Sequence, residues 1–251
     1  MKEKQLQQKK RRILWGWILA VLLLSISMGT VNVQAAKLKL NKTKVTVYKG
    51  CTETLKVTGS KKKVKWSSSK KAVASVSSSG KIKGKKKGTT VIYAKVGKQT
   101  LKCKVTVKEP SNAQRLNLAK KEARKIVKKY VISNLNTKER AFVLFQYLTE
   151  HCCWQLNQST EAYKKNYGNE AYAALILKKA ACSGYARAYK LLCEAAGIPV
   201  RHVNAGSWTH QWNEIKANGK WIKVDAYGGT FADTTGIRKS LLKESKNKEA
   251  L

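Results

Sequence analysis

Acid is what this chain has least of: 14 Asp and Glu stand against 52 Lys and Arg over 251 residues, a formal charge of +38. Residues 36–108 take this furthest, with 22 lysines, no arginine and a single acidic residue, Glu53. Without guanidinium forks the segment is ill suited to bidentate reading of bases or phosphates, and its charge implies diffuse attraction to polyanions. It also lacks His and Asp, which leaves it almost nothing for acid–base chemistry. The six cysteines, Cys51, Cys103, Cys152, Cys153, Cys182 and Cys193, include no Cys-x-x-Cys pair, so neither a structural zinc nor a redox motif is implied, and no cofactor is expected. Apolar residues are not lacking. At 43% of the chain, with seven Trp, ten Tyr and three Phe, they exclude wholesale disorder and suffice for two small domains or one large one plus a targeting segment.

The amino terminus reads as that targeting segment. Lys9-Lys10-Arg11-Arg12 precedes an apolar run from Ile13 to Met28, and Val33-Gln34-Ala35 supplies the small-residue cleavage pattern. Residues 1–35 are read as a signal peptide cut after Ala35; the alternative is an uncleaved anchor, the only membrane contact expected. Either way the remainder lies outside the cytoplasm, secreted or at the cell surface, where thiols are free to oxidise.

Residues 36–108 alternate at period two: Val45 and Val47, Leu55 and Val57, Val64 and Trp66, Val91 and Tyr93, then Leu101, Cys103, Val105 and Val107. Lysines fall on the opposite, wet face, and about seven strands are expected in a small all-β sandwich. Trp66-Ser67-Ser68-Ser69, Val73-Ala74-Ser75-Val76, Ser79-Gly80-Lys81-Ile82, Gly88-Thr89-Thr90-Val91-Ile92 and Cys103-Lys104-Val105-Thr106-Val107 resemble a bacterial immunoglobulin-like domain of group 2. The resemblance implies an adhesive or spacer module on a surface or secreted protein. Within it Cys51 and Cys103 leave two readings open, a disulfide or two free thiols.

Glu109-Pro110-Ser111-Asn112 is read as a linker, because Pro110 cannot continue a ladder and the composition changes after it. A second domain, residues 113–251, opens with helical spacing from Ala113 to Val131. A second helix follows Asn136, a cap with Glu139 three residues on. Its Ala141, Leu144, Phe145 and Leu148 form a buried stripe.

The chemistry concentrates between residues 173 and 226. Cys182 stands at or just before the start of a helix whose apolar stripe runs through Tyr189, Leu192 and Cys193 and stops at Gly197 and Pro199. A helix N-terminus favours a sulfur anion over the thiol and offers backbone N–H groups to an oxyanion. Asn218-Gly219 then marks a two-residue hairpin. Counting outward pairs Ala217 with Lys220, Ile215 with Ile222, Trp212 with Asp225 and His210 with Tyr227, which places His210 diagonally beside Asp225 on one face. An imidazole held by a carboxylate on a rigid ribbon is the oriented base that a cysteine nucleophile needs. His202 is read as a surface or strand histidine, His151 as a helix C-terminal one, and Trp208 and Trp212 as packing or cleft walls flanking His210.

Cys182-Ser183-Gly184-Tyr185-Ala186, Ala196-Gly197-Ile198-Pro199, His210-Gln211-Trp212-Asn213 and Gly219-Lys220-Trp221-Ile222-Lys223-Val224-Asp225 resemble the core of the transglutaminase-like superfamily, over about residues 115–232. The resemblance implies a papain-like α+β domain in which Cys182 is the nucleophile, His210 the base and Asp225 its orienting partner, acting on amides of proteins or peptides. Gln211 stands where Ala is more usual, and no calcium-ligand cluster is recognisable. Hydrolysis and crosslinking both stay open. The rival reading is a non-catalytic surface protein that binds an anionic wall polymer through the lysine-rich sandwich. Specific nucleic-acid binding is disfavoured by export, scarce Arg and the absence of basic clusters interleaved with aromatics.

Overall fold

The structure, a computed structural model, describes residues 37–154, 167–206 and 209–246. The segment read as a signal peptide and Trp208 lie outside them. Alternation of lysine with apolar residues builds nine short strands: β1 (Lys39–Leu40), β2 (Lys44–Tyr48), β3 (Thr52–Thr54), β4 (Val57–Thr58), β5 (Lys65–Ser68), β6 (Ala74–Val76), β7 (Lys81–Gly84), β8 (Gly88–Val96) and β9 (Gln99–Lys108). They pair as β2-β9-β8-β5, as β3-β7-β6 and as β1-β4. Nine strands stand in place of the expected seven because the strand expected at Leu55 and Val57 is divided into β3, which ends at Thr54, and β4, and because the two-residue β1 is too short to show a period. Val47, Leu55, Ile82, Ile92, Cys103, Val105 and Val107 fill the space between the sheets, and each large apolar side chain so buried contributes about 1.5–3 kcal/mol. The first long strand runs parallel to the last, Val45 beside Val105 and Val47 beside Val107, so the amino-terminal end of the module is fastened by its carboxyl-terminal one. Cys51 and Cys103 are both free thiols. Cys103 belongs to the core of the sandwich, whereas Cys51 faces Tyr172 of the second domain, and burial pushes both thiols up.

Pro110 ends the last ladder, and Ser111 caps α1 (Asn112–Tyr130) through a capping box with Gln114. The junction is extensively bonded. Gln114 Nε2 donates to the Tyr48 hydroxyl at 2.7 Å, Tyr167 Oη donates to Glu109 at 3.0 Å, and Tyr172 Oη donates to the Lys49 carbonyl. Arg115, buried, grips Glu170 with Nε at 2.6 Å and Nη2 at 2.7 Å while Nη1 donates to the Pro110 carbonyl. A fork bonded on both prongs fixes direction as well as distance, so α1 is locked to Glu170 and to the end of the linker, while Gln114 and Tyr172 make the bonds to the sandwich.

In that second domain Asn136 and Glu139 form the capping box of α2 (Thr137–His151), and Ala141, Leu144, Phe145 and Leu148 are all buried. The helix C-terminus carries His151, whose Nδ1 lies 3.0 Å from the Tyr147 carbonyl. Two-residue strands β10 (Cys153–Trp154) and β11 (Lys179–Ala180) pair in parallel, with one π-helical turn, Ala173–Leu177, before β11. Helix α3 (Cys182–Ala195) packs against an antiparallel sheet in the order β12 (Val200–Asn204), β13 (Gln211–Ala217), β14 (Lys220–Asp225) and β15 (Thr230–Phe231). Helix α4 (Lys239–Lys246) follows. Among the described residues no helix is long and apolar enough to cross a membrane.

One ion pair ties the end of the chain to α2. The buried Glu139 carboxylate accepts from Arg238 Nε at 2.7 Å, Arg238 Nη2 at 3.1 Å, the Arg238 N–H at 3.2 Å and the Asn136 N–H at 3.0 Å. The Arg238 guanidinium holds this carboxyl down at about 2, from an ordinary 4.5. Since the folded form binds the proton less tightly than the unfolded one, the stabilisation is complete above the ordinary value and is lost as pH falls from there towards 2. Thermal melts of Glu139→Gln should therefore show a lower midpoint than wild type at neutral pH and a shallower decline across that acid window. Parallel acid limbs in the two proteins would contradict the assignment.

Candidate active site

The helix that carries Cys182 is placed by its first turn. Ala181 is extended and supplies no side-chain cap, and Cys182 is the first helical residue. The free N–H groups of this turn, with no acidic residue among them, present the positive end of the helix at its mouth. Three contacts fasten the turn to residues 167–170. Ala181 N donates to the Gly168 carbonyl at 3.0 Å, Ser183 Oγ donates to Asn169 Oδ1 at 2.8 Å, and Gly184 packs directly on Gly168. A Cβ at position 184 would lie 2.3 Å from the Gly168 carbonyl oxygen and 2.8 Å from the Ala180 Cβ. Only glycine lets the helix start this deep. Cys182 itself is half-buried, between the fully buried Cys193 of the same helix and the exposed Cys153.

His210 and Asp225 are placed by the hairpin. Asn218 at φ 50° and Gly219 at φ 78° make the two left-handed positions of a type I′ turn. The ladder then pairs Ala217 with Lys220, Ile215 with Ile222 and Asn213 with Val224. Asn213, Ile215, Ile222 and Val224 are buried towards α3. At the far end His210 Nε2 lies 2.6 Å from Asp225 Oδ2. The other oxygen, Oδ1, accepts the Gly228 N–H at 2.9 Å, so both carboxylate oxygens are engaged. Asp225 is 6% exposed, whereas 35% of the His210 side chain is open. With Nε2 committed to Asp225, Nδ1 is the ring nitrogen left for a reacting group.

Aromatic rings join the two halves. Tyr227 lies 6.1 Å from the His210 ring, 5.5 Å edge-on from Tyr185 and 5.8 Å from Trp154. Tyr185 is three residues beyond Cys182 on the same helix face, and Trp154 is the ladder partner of Ala180, two residues before Cys182. His210 and Asp225 are thus in direct contact, and Tyr227 links the His210 ring to Tyr185, which lies three residues beyond Cys182 on α3. Trp212 stacks beside His210 at 6.0 Å. The sequence reading assigned no role to Trp154, Tyr185 or Tyr227; the only signal was the hairpin count, which sets Tyr227 opposite His210.

The remaining candidates serve elsewhere. His202 Nε2 meets Oε1 of the buried Gln211 at 2.9 Å, and burial lowers its pKa. The glutamine at this position therefore holds a neighbouring strand. Burial pushes the Cys152 thiol up to about 11 and that of Cys193 further still. Among the described residues no three His, Cys, Asp or Glu side chains cluster as metal ligands would.

Residues 124–226 match the family model of the transglutaminase-like superfamily, and residues 27–107 match that of the bacterial Ig-like domain (group 2). The second match begins inside the segment read as a signal peptide. No curated protein matches the chain. Among solved structures, domains 4 and 5 of the S-layer protein SbsC are 30% identical over 28% of this chain and 50% of theirs, with a TM-score of 0.24. A Big-domain GH10 xylanase from termite gut is 19% identical over 35% and 23%, TM-score 0.28, and a TGase is 14% identical over 59% and 46%, TM-score 0.35. The chain spans half or less of the length of each of these three.

Proposed function

We propose that this chain, a bacterial Ig-like domain followed by a transglutaminase-like domain, is an exported cysteine acyl-transfer enzyme acting on amide bonds of proteins or peptides. The observation that carries the reading is the His210 imidazole, bound through Nε2 to a buried Asp225, with its ring against Tyr227, which in turn meets Tyr185 of the helix that begins at Cys182. In the reaction the Cys182 proton passes to His210 Nδ1 and the sulfur attacks the amide carbonyl. The oxyanion faces the open N–H groups of the helix start. Nδ1–H then protonates the leaving nitrogen, the C–N bond breaks, and a thioester remains on Cys182. An incoming water gives its proton to Nδ1, its oxygen attacks the carbonyl, and the C–S bond breaks with the proton returning to sulfur. An amine in place of water gives a crosslink by the same steps. The imidazole is a third open; water therefore has access, and we assign hydrolysis as the main outcome.

Iodoacetamide labelling, read site by site by mass spectrometry without prior reduction, tests the reading. Cys182 should be labelled faster than the exposed Cys153, and His210→Ala should slow it to the rate of that thiol. Labelling of Cys182 no faster than that of Cys153, or its recovery in a disulfide, would leave a binding scaffold.

A further inference from the structure

A cleft of about 710 Å³ separates the outer face of the β3-β7-β6 sheet from helix α1. Its walls carry five lysines contributed by both domains: Lys81 and Lys83 from β7, Lys121 and Lys125 from α1, and Lys178 between the π-helical turn and β11. Two carboxylates face them, and both are engaged. Glu53 pairs with Lys42 outside the cleft at 2.7 Å, and Glu122 pairs with Lys125 at 3.2 Å. Among the described residues Lys81, Lys83 and Lys121 have no ion-pair partner. The Lys178 ammonium donates to the Tyr147 hydroxyl at 2.7 Å, and burial lowers its pKa, so a nearby anion would offset a real desolvation cost. Thr52 and Ser75 add hydroxyl groups to the sheet wall.

We infer that this cleft binds a linear phosphodiester polymer, with the two domains each supplying one row of cations. The spacing supports a chain over a single anion. Lys81 and Lys83, two residues apart on one strand face, are separated by about 6.7 Å, and Lys121 and Lys125, one helical turn apart, by about 5–6 Å. Both intervals resemble the separation of successive phosphates joined through a three-carbon unit. Ammonium point charges suit phosphate oxygens without demanding a planar, bidentate acceptor. Bases find little to stack on, since the one aromatic ring in the lining, Tyr48, has its hydroxyl held by Gln114. A polymer seated here touches both domains and holds the protein on it, whether or not the acyl-transfer reading stands.

Calorimetric titration of the full chain with a glycerol-phosphate oligomer tests it, beside polyglutamate and oligothymidylate of matched charge. Lys81→Ala/Lys121→Ala removes one cation from each wall, and Lys61→Ala/Lys62→Ala removes the same charge from the sandwich outside the cleft. All four lysines are exposed, so thermal midpoints should hold; should the first pair melt early, Lys83→Gln replaces it. The glycerol-phosphate oligomer should bind more tightly than polyglutamate. The cleft pair should weaken it about tenfold and reduce the slope of log K against log salt by about two, with the outside pair within about twofold of wild type. Equal losses in the two pairs, polyglutamate binding as tightly, oligothymidylate binding more tightly, or no binding would each overturn the inference.

Discussion

Cys182→Ala is expected to lower kcat/KM for amide cleavage by at least about 10⁴-fold, the scale on which loss of a covalent nucleophile is felt, while leaving the fold in place. The two halves of this expectation come from different features. No other thiol is placed to substitute: Cys103 and Cys193 are fully buried, burial pushes the Cys152 thiol up to about 11, Cys51 belongs to the first domain and its thiol is raised by burial, and the exposed Cys153 stands on β10, away from a helix start. The fold is spared because Cys182 is half-buried at the first helical position, where alanine has high intrinsic propensity. Thermal midpoints of the two proteins should agree within a few degrees, and Cys153→Ala should keep its activity. Amide cleavage surviving in Cys182→Ala would remove the nucleophile from the mechanism.

Much of this arrangement is written locally in the chain. Asn218-Gly219 fixes a hairpin register by itself, and counting eight residues back and six forward reaches the pair His210 and Asp225 that share a hydrogen bond in the structure. Asn136 with Glu139 marks a helix start because a capping box is completed within four residues, whereas the same device at Ser111 and Gln114 begins in the stretch read as a linker, and the helix starts at Asn112. Less legible is everything that depends on contacts between distant segments. Tyr227 meets Tyr185 and Trp154 only once α3, the hairpin and β10 are packed together. Gln211 looks like a neutral departure until β12 brings His202 beside it. The orientation of Cys51 follows from the docking of Tyr172, 121 residues on in the chain, and no pattern within the sandwich records it. The lysine cleft is likewise invisible in a sequence where lysines are everywhere; its two rows become a site only because Gln114 of α1 and Tyr172 are bonded to Tyr48 and Lys49 of the sandwich.

Asp225→Asn should cost about 10³–10⁴-fold in kcat/KM with little change in substrate KM, an effect on the scale of removing the orienting carboxylate from a catalytic triad. The carboxylate accepts twice, from the His210 ring through Oδ2 and from the Gly228 N–H through Oδ1. Asparagine has one acceptor and one donor end, so it meets only half of this demand. If its oxygen stays on the Gly228 N–H, its NH₂ group points at His210 Nε2. The ring must then carry its proton on Nδ1, and a nitrogen already protonated takes no proton from Cys182. If the amide flips, the tautomer is kept, but the NH₂ group now opposes the Gly228 N–H in a site that is 6% exposed, where two donors face to face leave both unsatisfied. The space allows no easy escape, since even a Cβ on Gly228 would come within 2.7 Å of Asp225 Oδ2. The first orientation predicts a folded, inactive protein, and the second a destabilised one with some activity. Comparing kcat/KM, the thermal midpoint and the iodoacetamide labelling rate of Cys182 in one preparation separates them. Near wild-type activity in a protein of unchanged midpoint would show that His210 needs no acceptor at Nε2, and would remove Asp225 from the mechanism.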